Sequence, residues 1–172
     1  KCIFCVWPAA MTGNDPDGKG KRSVRQHSPE RMEAMLTEWK TRYGFKCVYF
    51  DDDTFNIGDK HTLAMCGVMR RVELPWSAMC RADWISKDTW REMSDSGCFG
   101  VKLGFESGNQ EVVDKIVRKN LNLKEARRTV FWLKELGMSV HGTFTQGLPG
   151  ETPAQVQDTT AISRRCPWTA TS

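Results

Sequence analysis

Cys2 and Cys5, near the start of this 172-residue chain, have a spacing that lets both thiols face one metal ion or cluster. Three chemistries remain open. A structural zinc site normally needs four ligands, often as two such pairs, and the other five cysteines form no second pair. A thioredoxin-like dithiol usually opens a helix, whereas Trp7-Pro8 and a glycine-rich loop follow here. An iron–sulfur cluster needs thiolates and tolerates loops.

Four polar or glycine-rich stretches each follow an apolar segment, at residues 51–54, 80–83, 106–108 and 146–151. Their carboxylates suit ammonium groups or ribose hydroxyls, and an arginine suits a carboxylate. Glycine lets a flat ligand approach the backbone closely. Together these groups could hold an amino-acid-bearing nucleoside. Each stretch also has a purely structural interpretation, as a turn, a surface ion pair or a helix cap.

The segments between these stretches alternate between strand and helix patterns. We predict strands at residues 46–50, 76–80, 99–105 and 138–144. We predict helices at residues 28–44, 59–71, 86–95, 109–117, 123–136 and 152–164. Such alternation indicates a parallel sheet with right-handed crossovers, as in a TIM-like barrel or a doubly wound sheet. Ligands bind at the carboxyl ends of the strands in both folds, so we expect the four stretches to share one site.

Composition limits the function classes. Apolar residues make up 40% of the chain and charged residues 27%, which is typical of a water-soluble globular protein. The net charge of +4 is scattered in pairs, whereas a nucleic-acid-binding protein concentrates its charge on one face. The densest basic stretch, residues 19–22, is a solvated or a phosphate-contacting loop. Seven scattered cysteines favour a reducing compartment, and we expect a cytoplasmic location.

Residues 2–5, Cys-Ile-Phe-Cys, resemble the second half of the radical S-adenosylmethionine (SAM) signature C-x3-C-x-aromatic-C. The first cysteine of that signature would lie three positions before Lys1. Residues 51–55, 104–108 and 147–152 also resemble this superfamily in motif, order and placement. Val6-Trp7-Pro8, together with the triple aspartate, is similar to the branch that carries an N-terminal cobalamin-binding domain.

The resemblance implies an α/β fold, a partial TIM-like (β/α)6 barrel that lacks its first and last strands. Residues 1–172 would form one radical SAM core domain, truncated at both ends. Three cysteines would hold a 4Fe-4S cluster, with Cys2 and Cys5 as catalytic metal ligands. The cluster would cleave SAM reductively to methionine and a 5′-deoxyadenosyl radical, which abstracts hydrogen from the substrate. Cobalamin-dependent members instead transfer a methyl group, and here cobalamin would come from an N-terminal domain outside this chain.

The resemblance also implies a set of SAM-binding residues: Phe4, Asp52, Asp53, Arg81, Glu106, Ser107, Gly147, Pro149 and Gly150. The phenyl ring would pack near the adenine. The aspartates would face the methionine amino group, and the arginine would meet its carboxylate. Glu106 and Ser107 would reach toward the ribose, and the glycine-rich stretch would pass the adenine edge.

The implied partners are a small-molecule substrate, such as a lipid or a tetrapyrrole, and an electron donor such as flavodoxin or ferredoxin. No nucleic acid or transmembrane segment is expected. The alternatives are a non-enzymatic metal-binding or redox dithiol module using Cys2 and Cys5, or a basic nucleic-acid-binding domain. We expect both cysteines to lie at the same sheet edge as Asp52, Glu106 and Gly147. Because two cysteines cannot supply three ligands, we expect this chain alone to be inactive. Another thiol could substitute only if the fold carried it to the rim, and Cys80 is the best candidate.

Overall fold

The computed structural model describes residues 2, 4, 5 and 24–168. The basic stretch at residues 19–22 and the Val6-Trp7-Pro8 segment lie outside these residues. The strands are β1 Val48–Phe50, β2 Trp76–Cys80, β3 Cys98–Glu106 and β4 Ser139–Phe144. The α-helices are α1 Pro29–Tyr43, α2 Asp59–Val72, α3 Lys87–Asp95, α4 Leu123–Glu135 and α5 Pro153–Arg165, and a π-helix spans Val112–Val117. In the described part of the chain, no helix is long and apolar enough to cross a bilayer.

The strands form one sheet in the order β1-β2-β3-β4, and every neighbouring pair is parallel. A helix leads from each strand to the next, as parallel neighbours require. The sheet is unclosed, with β1 and β4 at its edges. The prediction of an incomplete TIM-like α/β fold is therefore confirmed.

Local signals in the sequence position most helix ends. The Ser28 hydroxyl accepts a hydrogen bond from the Arg31 backbone N–H (3.3 Å) at the start of α1. Gly44 ends this helix in the left-handed conformation, with φ of 71°. Thr152 and Gln155 form a reciprocal capping box at the start of α5. These caps fix where each of the two helices begins and where α1 ends.

The two faces of the sheet differ sharply. One face packs against the helices through buried apolar side chains, among them Phe50, Trp76, Ala78, Val101, Leu103, Phe105 and Val140. We call the opposite face the open face, because its side chains are exposed or half-buried. They are Tyr49, Ser77, Met79, Lys102, His141 and Thr143. This alternation follows from the two-residue period of a strand.

The helix predicted at residues 109–117 was wrong in type. A π-helix spans Val112–Val117, and its last turn is closed by the Arg118 N–H donating to the Val113 carbonyl, five residues earlier. The wider turn accommodates one more residue than an α-helix while Val112, Val113 and Val117 all stay buried.

Candidate functional site

The carboxyl ends of the four strands lie at one edge of the sheet because all the strands are parallel. We call this edge the rim, and we call the residues that follow each strand its exit. The exits bring the predicted polar stretches together. Two main-chain contacts join neighbouring exits directly: the Phe55 N–H donates to the Met79 carbonyl (2.8 Å), and the Thr145 N–H donates to the Glu106 carbonyl (2.8 Å).

The β1 exit presents Asp52 and Asp53 to solvent. Partial burial and the neighbouring Asp52 charge raise the pKa of Asp53. Behind them the fully buried Asn56 side chain links this exit to the next. Its amide donates to the Arg81 carbonyl (2.7 Å) and its carbonyl accepts from the Arg81 N–H (2.8 Å). The exit that carries the two carboxylates is therefore fastened to the β2 exit.

Arg81, in the β2 exit, is already engaged by protein groups. Its guanidinium makes two hydrogen bonds to the Asp83 carboxylate, of 3.0 and 2.9 Å. It also donates to the carbonyls of Lys119 (3.4 Å) and Asn120 (3.3 Å) and lies 4.8 Å from the Trp84 ring centre. These contacts tie the β2 exit to the turn after the π-helix.

Glu106, at the end of β3, forms an ion pair with Lys119 that sequence reasoning did not find. Its Oε1 atom lies 2.6 Å from the lysine Nζ, and the side chains are only 16% and 10% exposed. Gly104 leaves the space for this pair, because a Cβ atom there would lie 2.5 Å from Oε1 and 2.6 Å from Nζ. A glutamate and a lysine are thus brought together, largely out of water, at the rim.

The backbone around this pair is strained. Glu106, Arg118 and Asn120 all have positive φ angles, of 67°, 57° and 53°. This left-handed conformation is uncommon for residues other than glycine, and such positions concentrate at functional sites. The two strained residues that flank Lys119 direct its ammonium group toward Glu106.

Ser107 is fully buried and contacts α5. Its hydroxyl lies 3.0 Å from the Thr159 hydroxyl and accepts from the Asn109 N–H (3.1 Å). At Gly108 the backbones touch, since a Cβ atom there would lie 2.7 Å from the Asp158 carbonyl oxygen and from the Thr159 Cα. This segment fastens the β3 exit to α5.

The β4 exit is a glycine-rich loop held by one carboxylate. Gly147 and Gly150 have φ angles of 74° and 88°, which favour glycine. Glu151 Oε2 accepts from the N–H groups of Gly147 (2.8 Å) and Leu148 (3.1 Å). Its Oε1 atom is buried with no hydrogen-bond partner among the described residues. The loop, including Pro149, is therefore pinned at its base and leaves an acceptor free.

Cys2 and Cys5 are joined by a turn, in which the Cys5 N–H donates to the Cys2 carbonyl (3.2 Å). Both are partly buried, and Phe4 between them is 49% exposed. This donor set fits two positions of a thiolate-held cluster. No group of three histidine, cysteine or acidic residues in the described ranges is arranged to hold a metal ion. That these cysteines lie at the rim stays a prediction.

The remaining cysteines are poor candidates for a third ligand. Burial raises the pKa of the Cys80 thiol well above its usual range and that of Cys98 to about 12, which disfavours the thiolate that binds metal. Cys47 and Cys98 also lie at the amino-terminal ends of β1 and β3, opposite the rim. Cys66 and Cys166 are buried.

The matching family model is described as the Radical SAM superfamily and covers residues 1–161. An uncharacterized methyltransferase of Pyrococcus horikoshii is 27% identical over 166 residues, covering 95% of this chain and 34% of that protein. The cytidylyl-2-hydroxyethylphosphonate methyltransferase of Streptomyces wedmorensis is 28% identical over 133 residues, covering 74% and 24%. The chain thus spans about a third of the first of these curated relatives and about a quarter of the second.

A solved structure with the same fold is that of the radical SAM methyltransferase TsrM from Kitasatospora setae, with tryptophan and a SAM analogue bound. The TM-score is 0.76 at 20% identity, covering 99% of this chain and 32% of that one. A second structure of TsrM, with cobalamin and a 4Fe-4S cluster bound, also has a TM-score of 0.76. The alignment covers almost the whole chain, so the four-stranded sheet corresponds to part of a larger barrel.

Proposed function

The chain belongs to the radical SAM superfamily of enzymes, and we propose that its rim binds SAM beside a 4Fe-4S cluster. Family membership implies the cluster and SAM as cofactors. When bound, they supply a one-electron cleavage of SAM that gives methionine and a 5′-deoxyadenosyl radical. Cys2 and Cys5 would provide two of the three thiolates that hold the cluster. Phe4, between them, would pack against the adenine.

The buried Glu106–Lys119 pair is the observation that carries this proposal. SAM offers an ammonium, a carboxylate and two ribose hydroxyls, which are recognised by carboxylates and by cations. The pair sits at the rim on strained backbone and is screened little by water. In our proposal Glu106 accepts hydrogen bonds from the ribose hydroxyls. Asp52 and Asp53 would bind the methionine ammonium.

We assign the methionine carboxylate to Lys119 and not to Arg81. The guanidinium of Arg81 already satisfies a carboxylate, two carbonyls and an aromatic ring. Breaking those contacts would cost more free energy than one new ion pair with SAM would provide. The Lys119 ammonium can contact the SAM carboxylate and Glu106 together, because it carries three donors. Arg81 would instead act as a positioning residue for the turn that carries Lys119.

The remaining exits have supporting roles. Ser107 would hold the β3 exit against α5 and would not contact the ribose directly, because its hydroxyl is buried against Thr159. The Gly147–Gly150 loop would pass the adenine edge. Its free acceptor, Glu151 Oε1, is suited to an amino group such as that of adenine.

We further propose that the whole protein transfers a methyl group with the help of cobalamin. Both curated relatives reported above are named as methyltransferases, and TsrM is a methyltransferase with cobalamin bound in one structure. The substrate would be a small molecule, a lipid or a tetrapyrrole among the candidates, and the electron would come from a donor such as flavodoxin or ferredoxin. Hydrogen abstraction without methyl transfer is the other outcome that the superfamily allows.

The test is SAM binding by the full-length protein after anaerobic cluster reconstitution. Glu106→Ala should weaken SAM binding by at least about tenfold, because a hydrogen bond to a charged group is lost, and should leave the iron content unchanged. Glu111→Ala is the matched control, since Glu111 pairs with Lys115 at 2.7 Å on the exposed side of the neighbouring helical turn. Equal SAM affinity in both variants would show that Glu106 has only a structural role.

A further inference from the structure

The open face of the sheet carries two basic side chains that the rim does not use. Lys102 on β3 and His141 on β4 are paired in register, so their side chains leave the same face from adjacent strands. Both are exposed. Adjacent strands lie about 4.8 Å apart, a separation that two basic side chains can bridge by binding one oxyanion.

Within the described residues, Lys102 contacts the aromatic ring of Tyr49 and forms no direct ion pair, although Asp51 interacts with the same Tyr49 side chain. Its Nζ atom lies 4.7 Å from the centre of the Tyr49 ring on β1. Among the described residues it forms no ion pair with an aspartate or glutamate. By contrast, three other lysines bond to a carbonyl or a carboxylate: Lys40, Lys115 and Lys119. The Lys102 ammonium therefore keeps donors for an anion.

The open face is also the side on which a substrate would lie. Helices cover the opposite face, so in a barrel built from these strands the open face lines the interior. Met79, paired with Lys102 on the other side, adds a flexible half-buried side chain to the same row. The row therefore combines one aromatic and one thioether surface with two nitrogen donors.

We propose that Lys102 and His141 bind an oxyanion of the substrate, a carboxylate or a phosphate-type group, inside the barrel. This inference rests on the proposed function and names its substrate class. Lys102 lies four residues before Glu106 on β3, which places it about 13 Å from the rim along the strand. A substrate anchored there would extend that far to reach the reacting end of SAM. An anionic molecule several bonds long fits this geometry, with its reacting carbon remote from its charge.

The experiment measures anion binding and SAM binding separately, in the full-length protein with its cluster reconstituted. The probes are inorganic phosphate and acetate. Their binding is measured by NMR, as broadening of the phosphorus resonance of phosphate and of the proton resonance of acetate. Lys102→Met should raise the dissociation constant of the probe that binds by about tenfold or more, because a charged donor is removed. Lys102→Arg should retain binding, and His141→Leu should weaken it less than Lys102→Met. Phosphate binding alone or acetate binding alone identifies which oxyanion the site prefers.

Lys87→Met is the matched control, because the Lys87 ammonium lies 5.0 Å from the Trp132 ring on the helical side of the molecule. It should leave anion binding unchanged. If neither probe binds the wild-type protein, or if Lys102→Met and Lys87→Met behave alike, the proposal is wrong. SAM affinity should stay the same in all four variants. If the wild-type protein does not bind SAM, the proposed function is wrong. The anion measurement still tests the Lys102 site in that case, because it does not depend on SAM.

Discussion

At the amino-terminal edge of the sheet, main-chain hydrogen bonds and a buried tryptophan join the strand starts, whereas at the rim main-chain contacts are supplemented by pairs of charged side chains. The Val48 N–H donates to the Pro75 carbonyl (3.0 Å) and the Trp76 N–H to the Gly97 carbonyl (3.1 Å). The fully buried Trp76 indole donates to the Ser96 carbonyl (3.0 Å). At the rim, main-chain contacts also join neighbouring exits, and two ion pairs are added: Arg81–Asp83 within the β2 exit, and Glu106–Lys119 between the β3 exit and the turn after the π-helix.

This difference between the two edges suggests that one edge stabilises the sheet and the other binds ligand. Apolar burial and backbone hydrogen bonds hold the amino-terminal edge, and neither offers a group to a ligand. At the rim, burying charges costs solvation free energy that the ion pairs only partly return. Three residues other than glycine adopt positive φ angles there, and Glu73 does so at the amino-terminal edge. One edge therefore stabilises the sheet, while the other accepts a less favourable arrangement that displays polar groups. Four variants test this division, in order of expected effect.

Loss of a cluster cysteine should have the largest effect. We expect Cys5→Ala in the full-length protein to abolish the 4Fe-4S cluster, because a thiolate ligand is removed. Iron and sulfide analysis after anaerobic reconstitution measures this directly. Cys47→Ala is the control at the amino-terminal edge and should reconstitute normally. A full cluster in Cys5→Ala would remove Cys5 from the ligand set.

Truncating Trp76 should affect stability and not binding. Trp76→Ala creates a cavity and leaves the Ser96 carbonyl without its donor, so we expect a loss of about 3–5 kcal/mol in the free energy of unfolding. Urea denaturation measures the loss. SAM affinity, measured where the variant is folded, should match the wild type. A matching loss of SAM affinity would mean that the two edges are not separable.

Removing the lysine of the rim pair should weaken SAM binding. We expect Lys119→Met to raise the dissociation constant of SAM by about tenfold, equivalent to about 1.4 kcal/mol. Lys115→Met removes a lysine that pairs with Glu111 in solvent and should leave SAM binding unchanged. Calorimetric titration compares the two. If the dissociation constant of SAM is unchanged in Lys119→Met, the SAM carboxylate must bind Arg81 or another cation instead.

The smallest expected effect comes from the most closely matched comparison, between two glycines with nearly the same φ angle. Gly44 lies between α1 and β1, Gly147 lies in the β4 exit, and their φ angles are 71° and 74°. A Cβ atom at either position would meet nothing within 4 Å. Alanine at either site should therefore cost about 1–2 kcal/mol of stability through the backbone alone. Only Gly147→Ala should also change SAM affinity. Equal effects on SAM binding would argue against a role for the loop at the adenine edge.

The sequence predicted the elements well where local signals determine them. Strand β2 was predicted with its observed bounds, and the caps Ser28, Ser86 and Thr152 begin their helices as expected. Each cap requires only a side chain and a backbone N–H a few residues away. The parallel sheet followed from the alternation of strands and helices, because parallel neighbours need a crossover connection.

The interactions within the site could not be predicted in the same way. Lys119 lies 13 residues from Glu106, and the two meet across a segment in which a π-helix replaces the expected α-helix. In the sequence, Lys119 simply belonged to one of several scattered pairs of basic residues. Arg81 and Ser107 were assigned to SAM by resemblance, yet their nearest partners are Asp83 and Thr159. Such pairings depend on how distant segments pack, which residue spacing does not specify.

The contact at Gly108 sets a practical limit on how this site can be redesigned. Because its backbone touches the backbone of Asp158 and Thr159, no side chain can be introduced there without displacing α5. Asn109 reinforces the junction through its amide, which donates to the Asp158 carboxylate (2.8 Å). A chimera that exchanges the β3 exit but keeps the original last helix would separate two surfaces that were fitted to each other. The β3 exit and α5 should therefore be exchanged together.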